Sequence, residues 1–88
     1  MKEALIARME IFREGDLYVS LCPELDVSSF GETIEEAKNS LREALEAFIE
    51  ECAAMGTLAE VLEEAGFARE NQTWLSRQPL RAELVAIG

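Results

Sequence analysis

Thr33-Ile34-Glu35-Glu36 carries the pattern of a capping box. In it the Thr33 hydroxyl accepts from the Glu36 N–H and the Glu36 carboxylate reaches back toward the cap. Ile34, Ala37, Leu41, Ala44, Leu45, Phe48 and Cys52 follow at steps of three and four. That spacing predicts one apolar stripe on a helix of about 20 residues. Glu35, Lys38, Asn39, Arg42, Glu43, Glu46 and Glu50 fall opposite, with Arg42 placed to pair with Glu46 one turn on. Gly56 closes the helix as a left-handed cap. A helix with one apolar stripe needs a surface to lie on, and in 88 residues the rest of the chain must supply it.

The preceding residues read as that surface. From Lys2 to Phe12, Leu5, Ala7, Met9 and Ile11 alternate with Ile6, Arg8, Glu10 and Phe12, the two-residue period of a strand. Arg13-Glu14-Gly15-Asp16 is a polar turn, and Leu17 to Cys22 is a second strand joined to the first as an antiparallel hairpin. Pro23 ends its ladder, Glu24-Leu25-Asp26 bends the chain, and Val27 to Gly31 makes a short third strand that Gly31 lets the chain leave. After the long helix, Thr57-Leu58-Ala59-Glu60 predicts a second capping box, with Leu58, Val61, Leu62 and Ala65 lining a short helix that Gly66 stops. Phe67 to Pro79 reads as irregular and polar, anchored on the core by Trp74 and Leu75. Leu80 to Ile87 alternates again and reads as a last strand. The order βββ-α-(α)-β predicts an α+β domain spanning residues 1–88. Its four-stranded, mostly antiparallel sheet would carry the long helix on one face. The last strand would lie parallel beside the first.

Charge narrows the partners. There are 18 acidic residues against 8 basic ones and no histidine, a net charge of −10. Residues 1–31 hold six acids and three bases, residues 32–66 ten and two, and residues 67–88 two and three, so most of the acidity sits on the helices. Direct nucleic-acid binding and attraction to anionic membranes are disfavoured, since both depend on Lys and Arg. Without histidine there is no imidazole for a zinc site or a nucleophile–base dyad. A basic protein or a cation is the ligand that the charge favours. Cys22 and Cys52 form no CxxC motif and read as buried free thiols of a cytoplasmic protein. Met1 to Glu10 is charged throughout, unlike a signal peptide, and no apolar run approaches the ~20 residues that cross a bilayer.

Catalytic chemistry has little to start from. Asp16, Glu24 and Asp26 fall at strand ends, where a converging set would hold Mg²⁺ or Mn²⁺ for hydrolysis; turn chemistry alone also explains them. No cofactor and no resident metal are expected, and an enzyme is not. Two candidate docking surfaces remain. One is the exposed side of the sheet, including Tyr18 and the bend at Glu24 and Asp26. The other is the acidic helix face with Glu43, Glu46 and Glu50.

The run from Tyr18 to Ala37, YVSLCPELDVSSFGETIEEA, resembles the signature of the HicB-like antitoxin family. It has a strand with an aromatic and small apolar residues, then Pro23, Leu25, a short strand, Gly31 and a Thr-capped helix rich in Glu and Ala. Asn39 to Glu51 and Gly56 to Phe67 are also similar to members of that family. The resemblance implies a partial ribonuclease-H-like sheet with a helix. It also implies the role of antitoxin in a type II toxin–antitoxin pair. The implied partner is HicA, a small basic ribonuclease that cuts mRNA, blocked by protein–protein contact. Many members add a C-terminal DNA-binding domain. Residues 67–88 hold only three bases and read as a strand, so no separate C-terminal DNA-binding domain is expected. A homodimer or higher oligomer is expected from the small core and the sheet edges. The alternative function is an orphan homo-oligomeric domain of this type without a toxin.

Overall fold

The computed structural model describes residues 4–88. Eight elements run in the order β1 (Ala4–Ile6), β2 (Glu10–Glu14), β3 (Leu17–Cys22), β4 (Val27–Gly31), α1 (Ile34–Met55), α2 (Leu58–Glu64), β5 (Phe67–Glu70) and β6 (Thr73–Ser76). The architecture is α+β.

Strands β2, β3 and β4 form an antiparallel meander in that spatial order. Gly15 and Asp16 alone make the first turn, with Gly15 at φ 62°, so β2 runs two residues further than the sequence pattern suggests. The second turn spans residues 23–26, and Asp26 closes it in the left-handed region at φ 54°. α1 lies chiefly against β4 and then β3. Its Thr33 cap forms as predicted: Thr33 Oγ1 accepts from the Glu36 N–H at 3.0 Å, and Glu36 Oε1 accepts from the Glu32 N–H at 3.1 Å. The buried row is Ala37, Leu41, Leu45, Ile49 and Cys52, a four-residue step along most of its length. Ile49 therefore belongs to the core, while Ile34 is exposed and Ala44 and Phe48 are half-buried. Arg42 donates to Asn39 Oδ1 at 3.1 Å rather than to Glu46.

Two buried clusters hold the fold. Leu41 and Leu45 of α1 pack with Cys22 of β3, with Met9 and Val27 against them. Leu62 of α2 packs with Phe67 of β5 and Trp74 of β6, with Leu5, Leu58 and Ala65 against them. Ala7 and Leu25 pack on both clusters and join them.

The C-terminal third departs from the predicted pattern. Residues 67–79 are not irregular. They contain a hairpin, β5 to β6, turned on Asn71 at φ 57° and Gln72. β6 is the strand that lies parallel beside β1, with Leu5 opposite Trp74. Leu80 to Ile87 forms no strand and is exposed throughout. The parallel crossover was predictable, but it uses Thr73–Ser76, because only that segment carries a large apolar side chain, Trp74, into the core. The single N-terminal strand is likewise two strands broken at residues 7–9, with Lys2 outside the described residues. β1 pairs with β6, and β2 with β3. There are accordingly two three-stranded sheets, β1-β6-β5 and β2-β3-β4, in place of one four-stranded sheet.

The second capping box does not form either. The Thr57 side chain caps nothing in α2. Its N–H and hydroxyl both point back to the Cys52 carbonyl, at 2.9 and 3.4 Å, closing α1 around Gly56 at φ 73°. Only Gly56 and Thr57 separate the helices, so the Thr57 hydroxyl is taken by the end of α1 while its carbonyl accepts from the Val61 N–H at 3.0 Å at the start of α2.

Candidate functional site: an apolar row on the open sheet face

Register decides which strand residues face α1. Ile11, Ser20 and Ser29 stand side by side across β2, β3 and β4, and so do Phe12, Val19 and Phe30. Ser20 belongs to the α1 side: it is fully buried and its Oγ donates to the Ala37 carbonyl at 2.7 Å. Phe12, Val19 and Phe30 therefore point away from the helix, because successive side chains alternate across a strand. Phe12 is 50% exposed and Phe30 62%. Leu17 and Leu21 of β3 share that outer face, opposite Glu14 and Glu10 of β2.

This inverts the usual arrangement. A sheet with one wet face normally turns apolar residues inward and polar ones outward. Here the middle rows bury Ser20, half-bury Ser29 and leave at least half of each of two phenylalanines in water. Of the roughly 150–250 Å² that an aromatic side chain buries when fully covered, about half is still open on each ring, which makes the row a candidate contact surface. At its β4 edge the patch meets a hollow of about 390 Å³ lined by Leu17, Phe30, Glu32, Glu36 and Glu43. Carboxylates thus border the apolar row on the β2 side and on the α1 side.

The residues expected to dock a partner are distributed differently. Glu43 borders the apolar patch through that hollow. Glu46 and Glu50 line another groove, of about 620 Å³, between α1 and the segment from Leu5 to Met9. Tyr18 opposes Arg13 and Gly31 and so faces the helix side; it is half-buried, with the Arg13 guanidinium 5.9 Å from its ring centre. Glu24 is half-buried and accepts a hydrogen bond from Ser76 Oγ, which ties the β3–β4 turn to β6. Asp26 is exposed, and its turn geometry accounts for its presence, since Asp tolerates the left-handed region. Asp26→Asn is expected to leave thermal stability unchanged, and Asp26→Val to cost about 1–2 kcal/mol by denaturant titration. Asp16 lies at the opposite end of β3 from Glu24 and Asp26, so the three carboxylates do not converge. Among the described residues no three of Asp, Glu and Cys are placed to hold a metal ion.

The two cysteines lie in the core. Both are buried and unbridged. Burial pushes the pKa of the Cys22 thiol up, and the Glu24 carboxylate 3.8 Å away adds to that shift against the opposing Leu25 N–H. A thiol held protonated is a poor nucleophile.

Phe12, Val19 and Phe30 escaped the sequence reading, which counted Phe12 merely as the alternate to Ile11. The signal is the alternation itself: Phe12, Val19 and Phe30 share the face opposite Ile11, Ser20 and Ser29, so a helix on the serine side leaves the apolar row outside.

Comparison with protein-family models, curated proteins and solved structures gives no match. Among the described residues no helix is long and apolar enough to cross a membrane.

Proposed function

We propose that this chain is an antitoxin-like binding module that neutralises a small basic HicA-type mRNA-cleaving toxin by direct contact. The observation that carries this reading is the open Phe12–Val19–Phe30 row, bordered by carboxylates on a chain of charge −10. A basic ribonuclease is complementary to it on both counts. Opposite charge speeds encounter and selects the partner, while the two rings supply the desolvated anchors that hold it. Covering the toxin's RNA-binding surface is sufficient for inhibition, so the antitoxin needs no catalytic group. The meander with α1 across it and a later strand parallel to β1 supports the partial ribonuclease-H-like, HicB-like reading made from Tyr18 to Ala37.

Co-expression with the small open reading frame beside the gene, followed by pull-down and an RNA-cleavage assay, tests the proposal. The expected result is a complex in which this chain suppresses cleavage and whose affinity falls as salt is added. Phe30→Ala is expected to weaken it by about 2 kcal/mol, roughly thirtyfold. Glu43→Lys should mainly slow association. The pair Glu46→Lys and Glu50→Lys, in the other groove, should slow association through the lost net charge while leaving the dissociation rate unchanged. A chain that binds no basic partner would instead be the orphan homo-oligomer.

A further inference from the structure

Among the described residues, 80–88 form the most exposed apolar segment. Leu80 is 107% exposed, Leu84 105% and Ile87 94%, so these side chains touch almost nothing of their own fold. The segment leaves the body: the radius of gyration is 14.6 Å, against about 12 Å for a compact chain of this length. Its Leu80-Arg81-Ala82-Glu83-Leu84-Val85-Ala86-Ile87 pattern is that of a strand with one apolar face, which lacks only an edge to pair with.

Such an edge lies beside the groove between β1 and α1. Among the described residues β1 pairs with β6 on one side only. Leu5, Ile6 and Ala7 are consecutive, yet all three line the groove, so it runs along the border of the strand rather than over one face. Its other wall is Leu45 and Ile49 of α1, under a rim of Arg42, Glu46 and Glu50. The volume is about 620 Å³, and the lining is apolar at its base and net acidic at its lip.

We propose that the segment Leu80–Ile87 of one copy of this chain occupies this groove in a second copy, adding as a strand along β1, and that the exchange is reciprocal. Charge selects the occupant. Leu80–Ile87 carries only Arg81 and Glu83, which pair with each other at 3.2 Å, so the segment brings no net charge to an acidic lip that would repel the chain's acidic helices. Main-chain pairing supplies affinity without a sequence-specific partner, and alternate side chains fill the groove. Two-fold symmetry makes each contact twice. The groove is distinct from the Phe12–Val19–Phe30 face, so the dimer leaves that face open, and this proposal stands or falls independently of the toxin.

Sedimentation of the full chain with Leu84→Asp and Ile6→Asp variants tests it. The expected parent is a dimer, twice the 9.8 kDa of the chain. Each variant should halve the mass while keeping the parent's circular dichroism, because both residues are exposed and outside the buried clusters. Added salt should tighten the dimer, since two copies of charge −10 repel. An equimolar mixture of Ala86→Cys and Ile6→Cys chains should cross-link between copies under mild oxidation. A monomeric parent, a dimer indifferent to both substitutions, or failure of the mixed chains to cross-link would overturn the proposal.

Discussion

Gly31→Ala is expected to destabilise the protein by about 3 kcal/mol, the upper part of the range for forcing atoms into a packed site. For a domain of this size that lowers the melting temperature by roughly 12–24 °C. The cause is proximity and not backbone angle. A Cβ on Gly31 would stand 2.5 Å from the Ala37 N, 2.6 Å from the Glu36 Cβ and 2.8 Å from the Glu36 carbonyl carbon. These atoms belong to the first turn of α1, and no rotamer change moves them aside. Either β4 or the helix start must shift, and the Ser20 to Ala37 hydrogen bond beside them would be strained with it. Gly56→Ala is the control. That position has open space around it but φ 73°, so the cost is about 1–2 kcal/mol of backbone strain. Thermal melts followed by circular dichroism separate the two, and equal losses would show that β4 and α1 have room to part.

Trp74→Ala is the second large effect, about 3–5 kcal/mol. Small domains have only about 5–15 kcal/mol in total, so this removes a substantial share. Trp74 is buried in β6 between Leu62 of α2 and Phe67 of β5, with Leu5 opposite it in β1 and the Arg69 guanidinium 5.7 Å from its ring. It is the contact through which the hairpin, the short helix and the N-terminal strand reach one another. Truncation should therefore release β5–β6 and α2 before the β2–β3–β4 meander, whose core is Cys22, Leu41 and Leu45. Denaturant unfolding by circular dichroism should change from one transition to two, or to a single broad one. Because Trp74 is the single tryptophan, the parent's fluorescence and circular dichroism transitions should coincide if the two clusters unfold together through Ala7 and Leu25.

Part of the candidate site was legible and part was not. The acidic lip was visible as composition, and Glu43 does border the apolar row. Glu24 and Asp26 are marked by their place in a turn, and structural roles occupy both: Glu24 is tied to Ser76 of β6, and Asp26 sits at φ 54° in the turn itself. Phe12 and Phe30 were passed over because an exposed aromatic and a core aromatic look alike in sequence. Only register and the position of α1 tell them apart.

By itself, the sequence determined the elements whose signals are local. Thr33 and Glu36 start α1, Gly56 ends it, and Gly15 turns the first hairpin. Each of these depends on groups within a few residues, so chain order suffices to read it. Tertiary structure decided the rest. Leu80–Ile87 has a strand's pattern but pairs with no edge of its own fold, while Thr73–Ser76 lacks a long alternation and becomes a strand because Trp74 reaches the core and β1 lies alongside. A strand is completed by a partner distant in sequence, and its buried face is chosen by whatever packs on it. Pairing and burial are therefore the two things local pattern cannot carry.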